Sequence, residues 1–169
     1  MDGCLTSAHD ERRTITKRAR LEPSMSRGTA ASVSRPTLTS ATCRRIVDEA
    51  IREATEMAVQ VTVVVVDESG VWKDAARMDG APLISVQTAI NKAYAAAAIG
   101  MPPDDFYAAI ASDPAAVASF ATRPGIALIA GGLPVLVDGQ VAGAVAVAGA
   151  MTGAEDRRIA EAALARTQG

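Results

Sequence analysis

Between Leu38 and Ala58 the apolar positions fall three and four apart, at Cys43, Ile46, Val47, Ala50, Ile51, Ala54 and Ala58. Arg44, Arg45, Asp48, Glu49, Arg52 and Glu53 occupy the other side. That spacing predicts an amphipathic helix, with Thr39 as N-cap and Leu38 stapled onto Cys43. The period then changes. Gln60–Val66 is a continuous β-branched run closed by the turn Asp67-Glu68-Ser69-Gly70, and Val71–Met78 returns beside it as the second strand of a hairpin. Ser85 stands where it would cap a helix running to Ile99, stopped by Gly100 and Pro102-Pro103; its alanine content lets it lie close to another element. Pro103–Ala111 and Ala115–Phe120 read as two short helices around Asp113-Pro114. Three strands are expected next, at Ile126–Ala130, Pro134–Val137 and Gln140–Gly149. The last two are joined by Asp138-Gly139, a pair suited to a tight turn with positive φ. Glu155–Arg166 closes the chain as an amphipathic helix whose acidic start favours the helix dipole.

Five strands joined mainly by hairpins imply an α+β domain: an antiparallel sheet with helices on one or both faces. Residues 1–36 fit no such pattern and read as a disordered basic tail, with Met25 as an alternative start; residues 37–169 form the domain. The tail holds seven of the 17 Lys/Arg but four of the 19 Asp/Glu, leaving ten against fifteen, a body of net −5. That balance speaks against nucleic-acid binding by bulk electrostatics. Hydrophobic residues make up 49% of the chain but aromatics only 3%, so the core is built from small and β-branched side chains, and large aromatic ligand cages are not expected. No apolar run is long enough to span a bilayer. Two distant cysteines, Cys4 and Cys43, read as free thiols of a cytoplasmic protein.

Three segments together resemble a known family: VVVVDESGVWKDAARMDGA at Val63–Ala81, AINKAYAAA at Ala89–Ala97, and GGLPVLVDGQVAGAVAVAGA at Gly131–Ala150 followed by Glu155-Asp156. In this order they resemble the GlcG/HbpS-like family, which includes the C-terminal domain of PduO-type proteins, over about residues 38–166. The resemblance implies a profilin-like fold with a five-stranded antiparallel sheet and assembly into homo-oligomers. It also implies a small-molecule ligand, which is haem for some members and linked to corrinoid metabolism for one group; other members accompany catabolic enzymes. One departure matters. The only histidine is His9, in the tail, so the folded body offers no histidine to a haem iron. Tyr94, Tyr107, Met78 or Met101 could substitute in principle, each read first as a core or edge residue.

Four residues stand out as ligand-binding candidates. Lys92, in the alanine-rich helix, has an ammonium suited to a carboxylate or propionate, or to Schiff-base chemistry if desolvated; the alternative is a lysine snorkelling to solvent. Arg77, in the RMDG segment, would grip an anion bidentately or tie the end of its hairpin. Gly131 and Gly132 leave backbone N–H groups open to an anion. A pocket is expected between the Ser85–Ile99 helix and the Gly131-Gly132 loop. No catalytic constellation, nucleotide-binding glycine motif or metal-ligand set is present, so no catalytic residue and no metal is assigned. The first expectation is a small-molecule-binding protein with haem or another tetrapyrrole as the inherited ligand class. A small catabolic enzyme acting on a carboxylated metabolite through Lys92 or Arg77 and a non-catalytic accessory subunit are the alternatives.

Overall fold

The computed structural model describes residues 32–168. Expectations resting on the tail, with Cys4, His9 and Met25, lie outside the described residues up to position 31. Helix α1 spans Ser40–Glu56, and the Thr39 hydroxyl caps it by accepting the Thr42 amide at 3.1 Å. Strands β1 (Thr62–Asp67) and β2 (Trp72–Arg77) form the first hairpin; the Asp67 carboxylate fastens its turn by accepting the Ser69 and Val71 amides. Helix α2 runs from Ile84 to Ile99, followed by the short helices α3 (Pro103–Ile110) and α4 (Pro114–Ala121). Strands β3 (Gly132–Val137) and β4 (Gln140–Ala148) make the second hairpin, and α5 (Gly153–Gln168) ends the chain. At its tip Asp138 and Gly139 both take positive φ, 50° and 75°, the backbone that a two-residue turn demands.

All strand pairs are antiparallel, in the order β2-β1-β4-β3. The sheet therefore has four strands. The fifth, expected at Ile126–Ala130, is irregular backbone that leads into β3. Pro134 gives a physical reason, since it lies on the edge strand β3 and has no N–H with which to pair an outer neighbour. Ser85 also departs from expectation. It sits inside the first turn of α2, and its hydroxyl bonds the Pro82 carbonyl and the Thr62 hydroxyl, while Leu83 precedes the helix with no side-chain cap.

Helices cover both sheet faces, which is why β1 can be an unbroken valine run. Val63 and Val65 join the core under α1 and α5, with Ile46, Val47, Val145, Val147 and Ile159. Val64 and Val66 face the other way, onto α2. There Ala144, Ala146 and Ala148 of β4 meet Ala89, Ala93 and Ala96 of α2, so small side chains on both sides let helix and strand approach closely. Glu53 was expected on the solvent face of α1. It is buried instead between α1 and α5, where Arg166 pairs with it at 2.7 Å.

Candidate functional site

Lys92 lies on the inner face of α2, and only 1% of its surface is exposed. A lysine on a helix packed against a sheet cannot snorkel, so its ammonium must find partners inside. Nζ donates to the Val147 carbonyl at 3.0 Å and to Asp156 Oδ2 at 2.7 Å. The other carboxylate oxygen of Asp156 accepts the Ala150 amide at 3.1 Å. Burial pushes the Asp156 carboxyl above its ordinary value, against the hydrogen bond and charge of Lys92, which pull it down. The pair thus fastens α2, the end of β4 and the first turn of α5 at one point. Lys92 has three N–H donors, and one remains without a protein acceptor among the described residues.

Asp156 escaped the sequence reading because Glu155-Asp156 looked like an acidic helix start. Glu155 does play that part: its carboxylate accepts the Thr152 amide while the Thr152 hydroxyl accepts the Glu155 amide, a capping box. Asp156, however, shares the three-and-four spacing of the buried residues Ile159, Ala160 and Ala163, which places it on the inner face. A buried position for Asp on one helix and an unpaired Lys in an alanine helix are together the signal that could have joined them.

Gly131 and Gly132 pack directly against this pair. Gly131 takes φ of 110°, and a Cβ there would stand 2.9 Å from Lys92 Nζ and 2.7 Å from the Val147 carbonyl oxygen. A Cβ on Gly132 would come 2.7 Å from the Lys92 carbonyl oxygen. Both glycines are buried, so they give the lysine space rather than opening backbone N–H groups to solvent. Arg77 is elsewhere: exposed at the end of β2, it donates from Nε and Nη2 to the Ala81 carbonyl and ties off the hairpin.

Above the ion pair lies a cleft of about 340 Å3. Lys92 and Asp156 form its floor, Ile84, Ile129 and Met151 its apolar walls, and Thr88 and Thr152 add hydroxyls. Gly131, Gly132 and Arg77 are not among its lining residues. Among the described residues no helix is long and apolar enough to cross a membrane, and no group of three or more His, Cys, Asp or Glu side chains is placed to hold a metal ion.

A four-stranded antiparallel sheet between helical layers, with a small cleft floored by a buried ion pair, defines an α+β domain with a candidate ligand site. The chain belongs to the HbpS-like family, described as haem degrading protein HbpS-like, whose model matches residues 38–165. An uncharacterized 15.0 kDa protein from the dhaT-dhaS intergenic region of Citrobacter freundii is 33% identical over 129 residues, covering 76% of this chain and 90% of that protein. The crystal structure of Klebsiella pneumoniae protein ORFY superposes with a TM-score of 0.78 at 29% identity, covering 83% of this chain and 97% of that one. A double mutant of Streptomyces reticuli HbpS gives 0.74 at 29% identity, over 86% and 96% of the two chains.

The family's haem association can be tested against the donors present. Residues 32–168 contain no histidine. Cys43 is buried in the α1 core, where desolvation raises its thiol pKa and keeps it protonated. Tyr94, Tyr107, Met78 and Met101 do not line the cleft, and Met151 is its one thioether. This donor set does not fit a haem held by an axial histidine or thiolate from the folded domain.

Proposed function

We propose that the protein is a small-molecule-binding protein of the HbpS-like family whose ligand sits in the cleft above Lys92 and Asp156. One observation carries this: an apolar cleft ends on a buried ammonium that keeps one donor unused. Such a site takes a ligand with an apolar body and one polar or anionic head, the head directed at Lys92. Gly131 and Gly132 contribute by letting β3 close behind the lysine. A tetrapyrrole is the ligand class the family supports: the cleft takes one edge of the macrocycle with its carboxylates, and the rest of its face lies outside against the exposed rim of Ile84 and Met151, with no iron bond. Ile84 and Met151 are 78% and 92% exposed beside the cleft, and in this proposal a second copy covers them in a homo-oligomer. The buried thiol of Cys43 suits the reducing cytoplasm.

Absorbance titration with hemin, and with metal-free protoporphyrin IX followed by its fluorescence, tests the proposal. Both should saturate with similar affinity, and Thr88→Trp, which fills the cleft, should weaken both at least about tenfold. Absence of saturation with either ligand removes the tetrapyrrole assignment. Binding of hemin alone points to iron ligation and overturns the face-contact account, and unchanged affinity in Thr88→Trp overturns the location.

A further inference from the structure

The chain has five aromatic side chains, and none of them is in the core. Aromatic residues normally dominate cores because they bury the most area, so their absence there needs a reason. Three of the five, Tyr94, Phe106 and Phe120, converge at the α3–α4 insert on a cleft of about 380 Å3. The two phenylalanines stand edge to face with ring centroids 5.0 Å apart. Arg123 lies over the Phe120 ring at 4.9 Å. The Tyr94 ring is held against the β1–β2 turn, close enough that a Cβ on Gly70 would meet it at 2.6 Å.

These rings do more than hold the insert together. No residue of α4 is buried, although its sequence is almost wholly apolar, and both phenylalanines remain partly exposed. Arg123 has no carboxylate within ion-pairing distance among the described residues, and no acidic residue lines the cleft. In a body of net −5, this cleft is apolar, aromatic and positively charged. The contact with Phe120 holds the guanidinium at the cleft while its N–H fork stays available for a carboxylate.

We infer that the α3–α4 insert carries a second binding site, for a planar aromatic carboxylate, with Arg123 pairing the carboxylate and Tyr94, Phe106 and Phe120 holding the ring. The volume lies at the small end of ligand pockets, roughly 300–1,000 Å3, which suits one or two fused rings. No lining residue is shared with the cleft over Lys92, so the two sites succeed or fail independently.

Titration of the full chain with 2-naphthoate by isothermal calorimetry tests this, with 2-naphthylmethanol as the uncharged probe. Naphthoate should bind saturably. Arg123→Gln should weaken it at least about tenfold, as should removing the charge from the probe. Arg123 is exposed, so this variant should keep its circular dichroism spectrum, and Thr88→Trp should leave naphthoate binding unchanged. The inference is overturned by lack of saturation below about 1 mM, by wild-type affinity in Arg123→Gln, or by equal binding of the two probes. Loss of naphthoate binding in Thr88→Trp would also overturn it, by placing the ligand over Lys92.

Discussion

Replacing Lys92 by methionine keeps an unbranched apolar stem of similar length but removes the ammonium, and with it the bonds to the Val147 carbonyl and the Asp156 carboxylate. Asp156 is then left buried with only the Ala150 amide for a partner. Removing one member of a buried pair typically costs about 3–5 kcal/mol, because the other charge is stranded. The lower end applies here, since burial already pushes Asp156 toward its neutral form and protonation offers it an escape. The expected loss is about 3 kcal/mol at pH 7.5, a Tm lower by roughly 10 °C. The pH dependence has a defined sign. With a folded-state pKa above the ordinary 3.8, Asp156 binds its proton more tightly folded than unfolded, so its contribution falls as pH rises through that interval. The penalty of Lys92→Met should therefore be smaller at pH 5 than at pH 7.5. Adding Asp156→Leu removes the stranded charge and should restore most of the loss. Urea denaturation followed by circular dichroism, at both pH values, measures all four members of the cycle. A single-variant loss under about 1 kcal/mol, or a double variant no more stable than Lys92→Met alone, would refute the assignment of the pair as the fastening point.

Gly131→Ala should destabilise by about 2 kcal/mol or more, because its Cβ would press on Val147 and Asp156 at a φ that alanine resists; thermal denaturation reads this directly. Asp105 behaves oppositely to Asp156. The Arg157 hydrogen bond holds its carboxyl below the ordinary 3.8, so the contribution is present above that value and lost as pH falls through it. Asp105→Asn should thus lose up to about 1 kcal/mol at pH 6 and progressively less in acid, as paired urea titrations will show. If a second copy covers the apolar rim, Met151→Asp combined with Ile84→Asp should convert an oligomer to monomer in light scattering, and a monomeric wild-type chain contradicts the assembly.

Local pattern carried most of the fold. The three-and-four spacing after Thr39, the valine run of β1 and the Asp138-Gly139 turn each lie in contiguous residues, and each element formed there, α1 stopping at Glu56 with Ala58 beyond it in a left-handed φ of 56°. Ile126–Ala130 shows the limit: its composition suits a strand, but strand formation needs a partner edge, and the neighbouring edge carries Pro134. Ser85 likewise suited a cap, yet its hydroxyl is taken by Thr62 across the packed interface. The site was half legible. Lys92 could be singled out because a charge inside an alanine helix demands an explanation, whereas Arg77, equally prominent in its motif, bonds its own turn.

Along the chain itself, periodicity and turn chemistry determined most element types and the antiparallel hairpins, while composition set the small-residue core and left the folded body without a histidine. Only the tertiary structure decided what meets what: that Lys92 faces Asp156, 64 residues away, and that Tyr94, Phe106 and Phe120 share one cleft with Arg123. Helical and strand periods record which face of an element is apolar, but not which partner that face will find. Pairings between distant residues exist only once the layers have packed.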